Sequence, residues 1–360
     1  MKNVLFASTA LVAFAGAAQA EITLTGFAEM GIFDAERLGD GTGTPGTVSA
    51  GQGVSDDGGT SFFTDIDVTF TMSGETDGGL TFGATVDLDE SNDNDAFSAS
   101  SQGGETIFLS GAFGTLTMGD TDGALDWALT EVAFNSGSLN DDETIHAGYN
   151  GNSGLDGLFD GQVLRYDYSF GDFGVALSAE LDDDNGDGND DVLGIGFKYD
   201  LDLGGTTVGL GLGYQAAEVD DVDVDALGFS ANATFGGGFS AGLSYVTYEN
   251  HIPNAIADGD FTAAFDGGDG GRIVTDGEDT DHIGVGIGYT SGAISASLNY
   301  GQYDIEDVGD VEGFGLTVGY DLGGGAIVQF GYGRSDYSDV DDFAGDDTLD
   351  TVSLGVRMNF

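Results

Sequence analysis

Between Glu21 and Phe360 the chain divides into sixteen segments of about ten residues in which apolar side chains recur at every second position. They lie near residues 21–33, 62–74, 79–89, 104–113, 115–120, 162–170, 174–182, 192–201, 206–216, 225–235, 239–249, 281–290, 293–304, 311–321, 326–336 and 348–360. In "IDVTFTMS", Ile66, Val68, Phe70 and Met72 share one face; in "GIGFKYDL", Ile195, Phe197, Tyr199 and Leu201 oppose Gly194, Gly196, Lys198 and Asp200. A period of two belongs to a strand with unlike faces, and about ten residues is the length of a tilted strand crossing a bilayer. A soluble sandwich alternates in the same way, so the connections have to decide. Short ones at 75–79, 114–115, 171–174, 202–205, 236–238, 291–292 and 321–325 take turns with mostly longer, acidic ones at 34–61, 90–103, 121–161, 183–191, 217–224, 250–280, 305–310 and 337–347. Short turns at one end and long loops at the other predict an all-β, transmembrane, antiparallel up-and-down β-barrel of 16 strands, one domain over 21–360. A barrel of that size encloses an aqueous lumen.

Composition agrees with many short strands joined by tight turns: 65 Gly, 2 Pro, 25 Phe and 13 Tyr. The absence of cysteine excludes a disulfide scaffold and a zinc-thiolate site. "MKNVLFASTALVAFAGAAQA" reads as a cleaved signal peptide over 1–20, with Lys2, an apolar stretch from Val4 to Ala17 and Ala18-Gln19-Ala20 as the cleavage site. No later stretch is long and apolar enough for a spanning helix. Without Lys2 the chain has 6 Lys+Arg against 64 Asp+Glu, so 6 − 64 = −58. Such a chain repels nucleic acid and attracts cations.

Two features concern the barrel's rim and seam. Tyr199, Tyr214, Tyr289, Tyr300, Tyr320 and Tyr332 are expected at the long-loop ends of the outward faces, and Phe170, Phe235, Phe239 and Phe360 at the short-turn ends, as two interfacial belts. The last strand, "DTVSLGVRMNF", puts Val352, Leu354, Val356, Met358 and Phe360 on one face and runs to the chain's end. Pairing with the first strand, "EITLTGFAEMGIF", would close that edge and bring Glu21 near the Phe360 carboxylate for an ion pair.

The piece "GAFGTLTMGDTDGALD" (111–126) resembles the stretch leading into the third loop of general porins of Gram-negative bacteria, with the likeness running to porins of the Rhodobacter type. Signal peptide, sixteen segments, an over-long third connection and a terminal Phe extend the resemblance over nearly the whole chain. It implies a homotrimer in the outer membrane, in contact with its lipid and lipopolysaccharide, whose long third loop folds into the lumen. It also implies a terminal aromatic, here Phe360, read by the outer-membrane assembly machinery. The function implied is passive diffusion of ions and small hydrophilic solutes.

The parity that sends apolar residues to lipid sends Thr23, Thr25, Glu29, Asp65, Asp67, Thr69, Thr85, Asp87, Asp167, Ser178, Glu180, Asp200 and Asn359 inward, with Arg165, Lys198 and Arg357. A lipid-facing Lys or Arg near the midplane costs roughly 2–4 kcal/mol, which favours this assignment. The resemblance implies wall cations set against loop carboxylates, here Asp120, Asp122, Asp126, Glu131, Asp141, Asp142 and Glu143. The other reading makes the three cations ordinary lumen residues paired with neighbours such as Asp167 and Asp200. An acid-dominated lumen predicts cation preference.

Asp183-x-Asn185-x-Asp187-Gly188 has oxygen ligands at the alternate positions of a calcium loop, although Gly194 stands where the twelfth-position Glu would be. Bound Ca2+ and a merely solvated acidic loop both fit. No catalytic cofactor or reaction is indicated: His146, His251 and His282 lie in or beside loops without a nucleophile context, and His146 reads as a surface residue. A substrate-selective channel, for instance for sugars, would want a track of lumen aromatics, for which Phe27, Phe33 and Phe108 are the available residues. A secreted calcium-binding β-rich adhesin would want a fixed short repeat, and the spacing here varies.

Overall fold

A computed structural model of the chain describes residues 21–35, 59–89, 101–139, 144–148, 151–182, 189–219, 221–252, 273–274, 279–306, 309–338 and 348–360. The signal segment 1–20, Asp141, Asp142 and Glu143, and the calcium candidates Asp183, Asn185 and Asp187 lie outside the described residues.

Alternation and β-branched or aromatic side chains make the strands. They are Glu21–Ala35 (β1), Ser61–Glu75 (β2), Thr81–Asp89 (β3), Ser101–Gly111 (β4), Gly114–Gly119 (β5), Val163–Phe170 (β6), Phe173–Glu180 (β7), Asp190–Asp202 (β8) and Thr206–Val219 (β9). Val222–Phe235 (β10), Phe239–Glu249 (β11), His251–Ile252 (β12), Ile273–Val274 (β13), Thr280–Ser291 (β14), Ile294–Ile305 (β15), Gly309–Gly323 (β16), Ala326–Asp336 (β17) and Thr348–Asn359 (β18) follow. Sixteen of them close into one barrel, while β12 and β13 pair as a separate two-stranded ribbon. Short turns use left-handed glycine, as at Gly292 (φ +61°) between β14 and β15.

The seam is β1 against β18, antiparallel from Phe27 opposite Asn359 to Ala35 opposite Thr351. The Phe360 N–H donates to the Gly26 carbonyl at 2.9 Å, so the unpaired edge of the last strand is gone. Glu21 lies five residues beyond Gly26 and pairs with Ser73 of β2. At about 3.4 Å per residue that puts it about 17 Å past the end of β18, so the expected ion pair with the Phe360 carboxylate does not form.

Outward positions carry Leu24, Ile66, Ile107, Leu177, Phe197, Leu243, Ile287, Leu316 and Leu354, all exposed in the monomer and offered to lipid. Tyr199, Tyr289 and Tyr320 sit at the short-turn ends, not at the long-loop ends: Tyr199 packs 4.4 Å from Phe173 and Tyr289 4.6 Å from Phe239. Tyr214, Tyr300 and Tyr332 lie toward the long loops as expected.

The segment 217–224 is mostly strand rather than loop, because β9 runs to Val219 and β10 begins at Val222, and strand likewise enters 305–310 from both sides, with β15 ending at Ile305 and β16 beginning at Gly309. Acidic residues at these ends are outward members of the ladder. Asp225 faces Glu249, Asp281 faces Asp304, Asp304 faces Asp310, and Glu312 faces Asp336. Directly opposed like charges destabilise a sheet, and tyrosine hydroxyls below them offset part of this, as Tyr245 Oη donates to Asp281 at 2.8 Å and Tyr300 Oη to Glu312.

Inward faces are not uniformly polar. Phe33 and Phe63 cluster with Leu139 and Ile145, while Val192, Val224, Ala226, Val246 and Tyr248 cluster with Leu125, Leu129 and Leu155. In both clusters the partners come from the connection between β5 and β6.

Candidate functional site

That connection lies inside the barrel. A short helix, Ala124–Ala128 (α1), packs on β7, β8 and β9. Beyond it the chain follows the wall, and inward-facing serines accept its backbone N–H groups: Ala124 to Ser178 (2.9 Å), Thr130 to Ser230 (2.9 Å), Phe134 to Ser297 (3.2 Å), Leu139 to Ser353 (3.3 Å) and Ala147 to Ser335 (2.8 Å). The return arm is held by Gln215 Oε1, which accepts from Leu155 N at 2.8 Å, and by Glu180. The Glu180 carboxylate accepts N–H bonds from Gly157, Phe159 and Gly161 at 2.8, 2.9 and 2.8 Å, which is why a buried acid is tolerated there.

Close approach requires glycine on the wall. A Cβ on Gly196, Gly211, Gly286, Gly333 or Gly301 would overlap the carbonyl of Ala124, Ala128, Val132, Ile145 or Gly148 respectively. The loop therefore rests on β7–β11 and β14–β18 and reaches Gly31 and Phe33 of β1 and Phe63 of β2 through Leu139, which leaves the polar wall from Asp67 on β2 through β3 to β6 without a second layer of chain. There Thr69 Oγ1 donates to Asp87 at 3.1 Å, and Ser110 and Thr115 share a hydroxyl bond of 2.9 Å.

Each wall cation is anchored. Arg357 Nη1 is 3.3 Å from Glu29 Oε1, its guanidinium lies 3.7 Å over the Phe27 ring, and Glu29 faces Asp65 in the next strand. Arg165 Nη1 donates to the Asp122 carbonyl at 2.6 Å and lies 3.7 Å from its carboxylate, while its Nε is 3.5 Å from Asp167. Lys198 Nζ sits 4.4 Å over the ring of Trp127 in α1. Trp127 escaped the sequence reading, although as the chain's single Trp, in the connection suspected of entering the lumen, it was a signal. Of the lumen aromatics, Phe27 lies under Arg357, Phe33 packs on Phe63, and Phe108 fills the space above Gly83, so they form no track.

The loop acids separate into three settings. Asp122 is exposed beside Arg165, and Asp120 follows β5, its N–H bonded to the Glu105 carbonyl at 2.9 Å. Asp126 and Asp156 are drawn into the loop's own packing. Burial first, then the charges of Asp122, Asp156 and Glu131, push Asp126 up to about 8, although Asn152 Nδ2 donates to it at 2.5 Å. Burial likewise raises Asp156 to about 6, against bonds of 2.6 Å from Gly123 N and from Gln215 Nε2. His146 is buried, not on the surface; its Nε2 lies 3.0 Å from Asn299 Oδ1, and burial lowers its pKa. Glu131 faces a third environment, a cavity of about 540 Å³ bounded by the loop from Thr130 to Gly137 and by Ser295, Ile327, Gln329, Arg357 and Asn359 of the wall. Arg357 and Glu131 thus meet across open space, whereas Arg165 meets its loop carboxylate directly. Among the described residues no group of three or more His, Asp or Glu side chains is arranged to hold a metal ion.

A barrel with an apolar exterior and a loop-narrowed, charged interior can pass water and ions. Comparison with known proteins agrees. A family model described as Gram-negative porin matches residues 7–340. A porin of Rhodobacter capsulatus is 33 % identical over 306 residues, covering 81 % of this chain and 91 % of that protein. A refined porin crystal structure superposes with a TM-score of 0.61 at 27 % identity, covering 94 % of this chain and all (100 %) of the other. An anion-selective porin from Comamonas acidovorans shares the fold at a TM-score of 0.58 and 16 % identity, covering 95 % of this chain and 100 % of its own.

Proposed function

The chain belongs to the Gram-negative porin family, an outer-membrane channel, and from that premise we propose that its lumen prefers cations. The observation that carries this is the composition of the uncovered wall, where the accessible Asp67, Asp87, Asp167 and Asp200 stand against Arg165, Lys198 and Arg357, while Glu29 and Asp65 add buried negative charge behind them. Two of those cations are already neutralised by Glu29 and by Asp122 with Asp167, so the field left for a passing ion is negative. The fold alone leaves the sign open, since the Comamonas acidovorans relative is anion-selective. Reversal potentials of the purified protein in a planar bilayer under a KCl gradient test the reading: a potential of the sign for K+ preference supports it, and one of the sign for Cl− overturns it. A series of uncharged solutes added to the same bilayer gives the size cut-off set by the loop.

The same proposal takes 1–20 as a cleaved signal and places three copies side by side. The outer face supports a subunit contact: β18 and β1–β5, contiguous in the ring, contain no tyrosine, whereas of β6–β11 and β14–β17 all but β7 and β10 carry at least one. A face without the tyrosines of the interfacial belt is suited to another subunit rather than to lipid headgroups. Phe360, 80 % exposed at the short-turn rim, is accessible to an assembly receptor. The outward acids at the long-loop rim and the 181–191 segment make Ca2+ and, through it, lipopolysaccharide phosphate fitting partners, which calorimetric titration of the intact protein with Ca2+ checks.

A further inference from the structure

The cavity between the loop tip and the wall has a polarity that plain diffusion does not require. Arg357 is fixed on three sides, by the Phe27 ring, by Glu29 on Nη1 at 3.3 Å, and by Asn359 Oδ1 on Nε at 3.5 Å. A guanidinium has five N–H donors, so both donors of Nη2 and one of Nη1 are left without a partner among the described residues, on a side chain that lines the cavity. The Glu29 side chain is fully buried (0 % exposed) and answers the charge of Arg357 from behind. Glu131, on the loop side of the same cavity, forms no ion pair with any described cation.

We infer that this cavity is a binding station for small zwitterions, free α-amino acids with uncharged side chains. The carboxylate takes the preorganised fork of Arg357, a match of planar geometry as well as charge. The ammonium turns to Glu131, and the remaining side chain lies along Phe134 and Ile327. A simple anion satisfies Arg357 but meets Glu131, and a simple cation satisfies Glu131 but leaves the fork empty. About 540 Å³ exceeds the volume of one amino acid, so the solute is held loosely and released, as conduction demands. This rests on the channel reading, whose success or failure shows independently as conductance in salt alone.

The test is single-channel recording of the purified protein in dilute KCl with L-glutamine, butylammonium, butyrate or erythritol added at equal millimolar concentration. Glutamine is expected to produce brief, concentration-dependent current interruptions at least about tenfold more frequent than any of the other three. Glu131→Gln, a change on the loop that leaves every described ion pair intact, removes that excess; Arg357→Gln removes it too, but disturbs Glu29 and is secondary. Equal interruption by glutamine and erythritol, equal interruption by glutamine and butylammonium, or an undiminished excess in Glu131→Gln each overturns the inference.

Discussion

The two halves of the lumen wall solve opposite problems. On β8–β11 and β14–β18 the inward positions are glycines and serines, because a second layer of chain lies on them; glycine lets loop carbonyls approach and serine satisfies loop N–H groups. On β2–β6, beyond the contact of Phe33 and Phe63 with Leu139, the inward positions are chiefly threonines and carboxylates, because no second layer of chain lies on them. The first wall spends its side chains on holding the loop, and the second supplies the electrostatics of the channel. The same inward parity therefore means packing on one side and solvation on the other.

Removing a loop anchor is expected to break this division most. Glu180→Ala strips three N–H groups of a charged acceptor worth about 1.5–3 kcal/mol each, and a loss of roughly 3–5 kcal/mol of loop seating should appear as protease cleavage within 151–161 of an otherwise intact barrel. Gly286→Val drives a side chain into the Val132 carbonyl, costing about 1–3 kcal/mol and raising conductance as the loop lifts, while the near-isosteric Thr69→Val on the open wall leaves the melting temperature within experimental scatter. The pH dependence is gentler. Asp126 and Asp156 are raised in the folded loop to about 8 and about 6, so the folded form binds more protons than the unfolded one above the ordinary carboxylate value. Their contribution to loop seating is full below about pH 4 and fades as pH rises through 6 and 8. Hydrogen exchange of 123–130 should quicken between pH 5 and 9, and Asp126→Asn should flatten that rise. The smallest effect belongs to the rim: Asp304→Asn relieves two facing carboxylates and should stabilise by about 0.2–1 kcal/mol in low salt, with the gain vanishing as salt rises.

The barrel was legible because a strand's period survives any change of partner. Ile283, Val285, Ile287 and Tyr289 point to lipid whatever lies behind them, and the same parity sent Arg165, Lys198 and Arg357 to the inside. The loop's footprint was written in the intervening residues, Gly284, Gly286 and Gly288, as it was in Gly313 and Gly315, and in Gly331 and Gly333. Glycine reads as an absence, and the sequence offers no direct sign that another backbone fills the space. Charge misled in the reverse sense: Glu218, Asp223 and Asp310 look like loop residues, yet they are ladder members on strands that outrun the membrane. The aromatic belts failed for Tyr199, Tyr289 and Tyr320 because residue type was weighed above position along an up or down strand. Trp127 is understood only once Lys198 is found over its ring.

One wall of the lumen is open and the other covered, and the chain's lack of cysteine makes that directly measurable. Single cysteines at Thr69 on β2 and at Ser230 on β10, both inward and both near mid-strand, are exposed to a water-soluble, charged thiol reagent while current is recorded. Thr69→Cys should react promptly, with a stepwise fall in conductance, and Ser230→Cys, lying under the Thr130 N–H, should stay unreacted with its current unchanged. Equal reaction at the two positions, or faster reaction at Ser230→Cys, would contradict the division of the lumen into a covered wall and a conducting one.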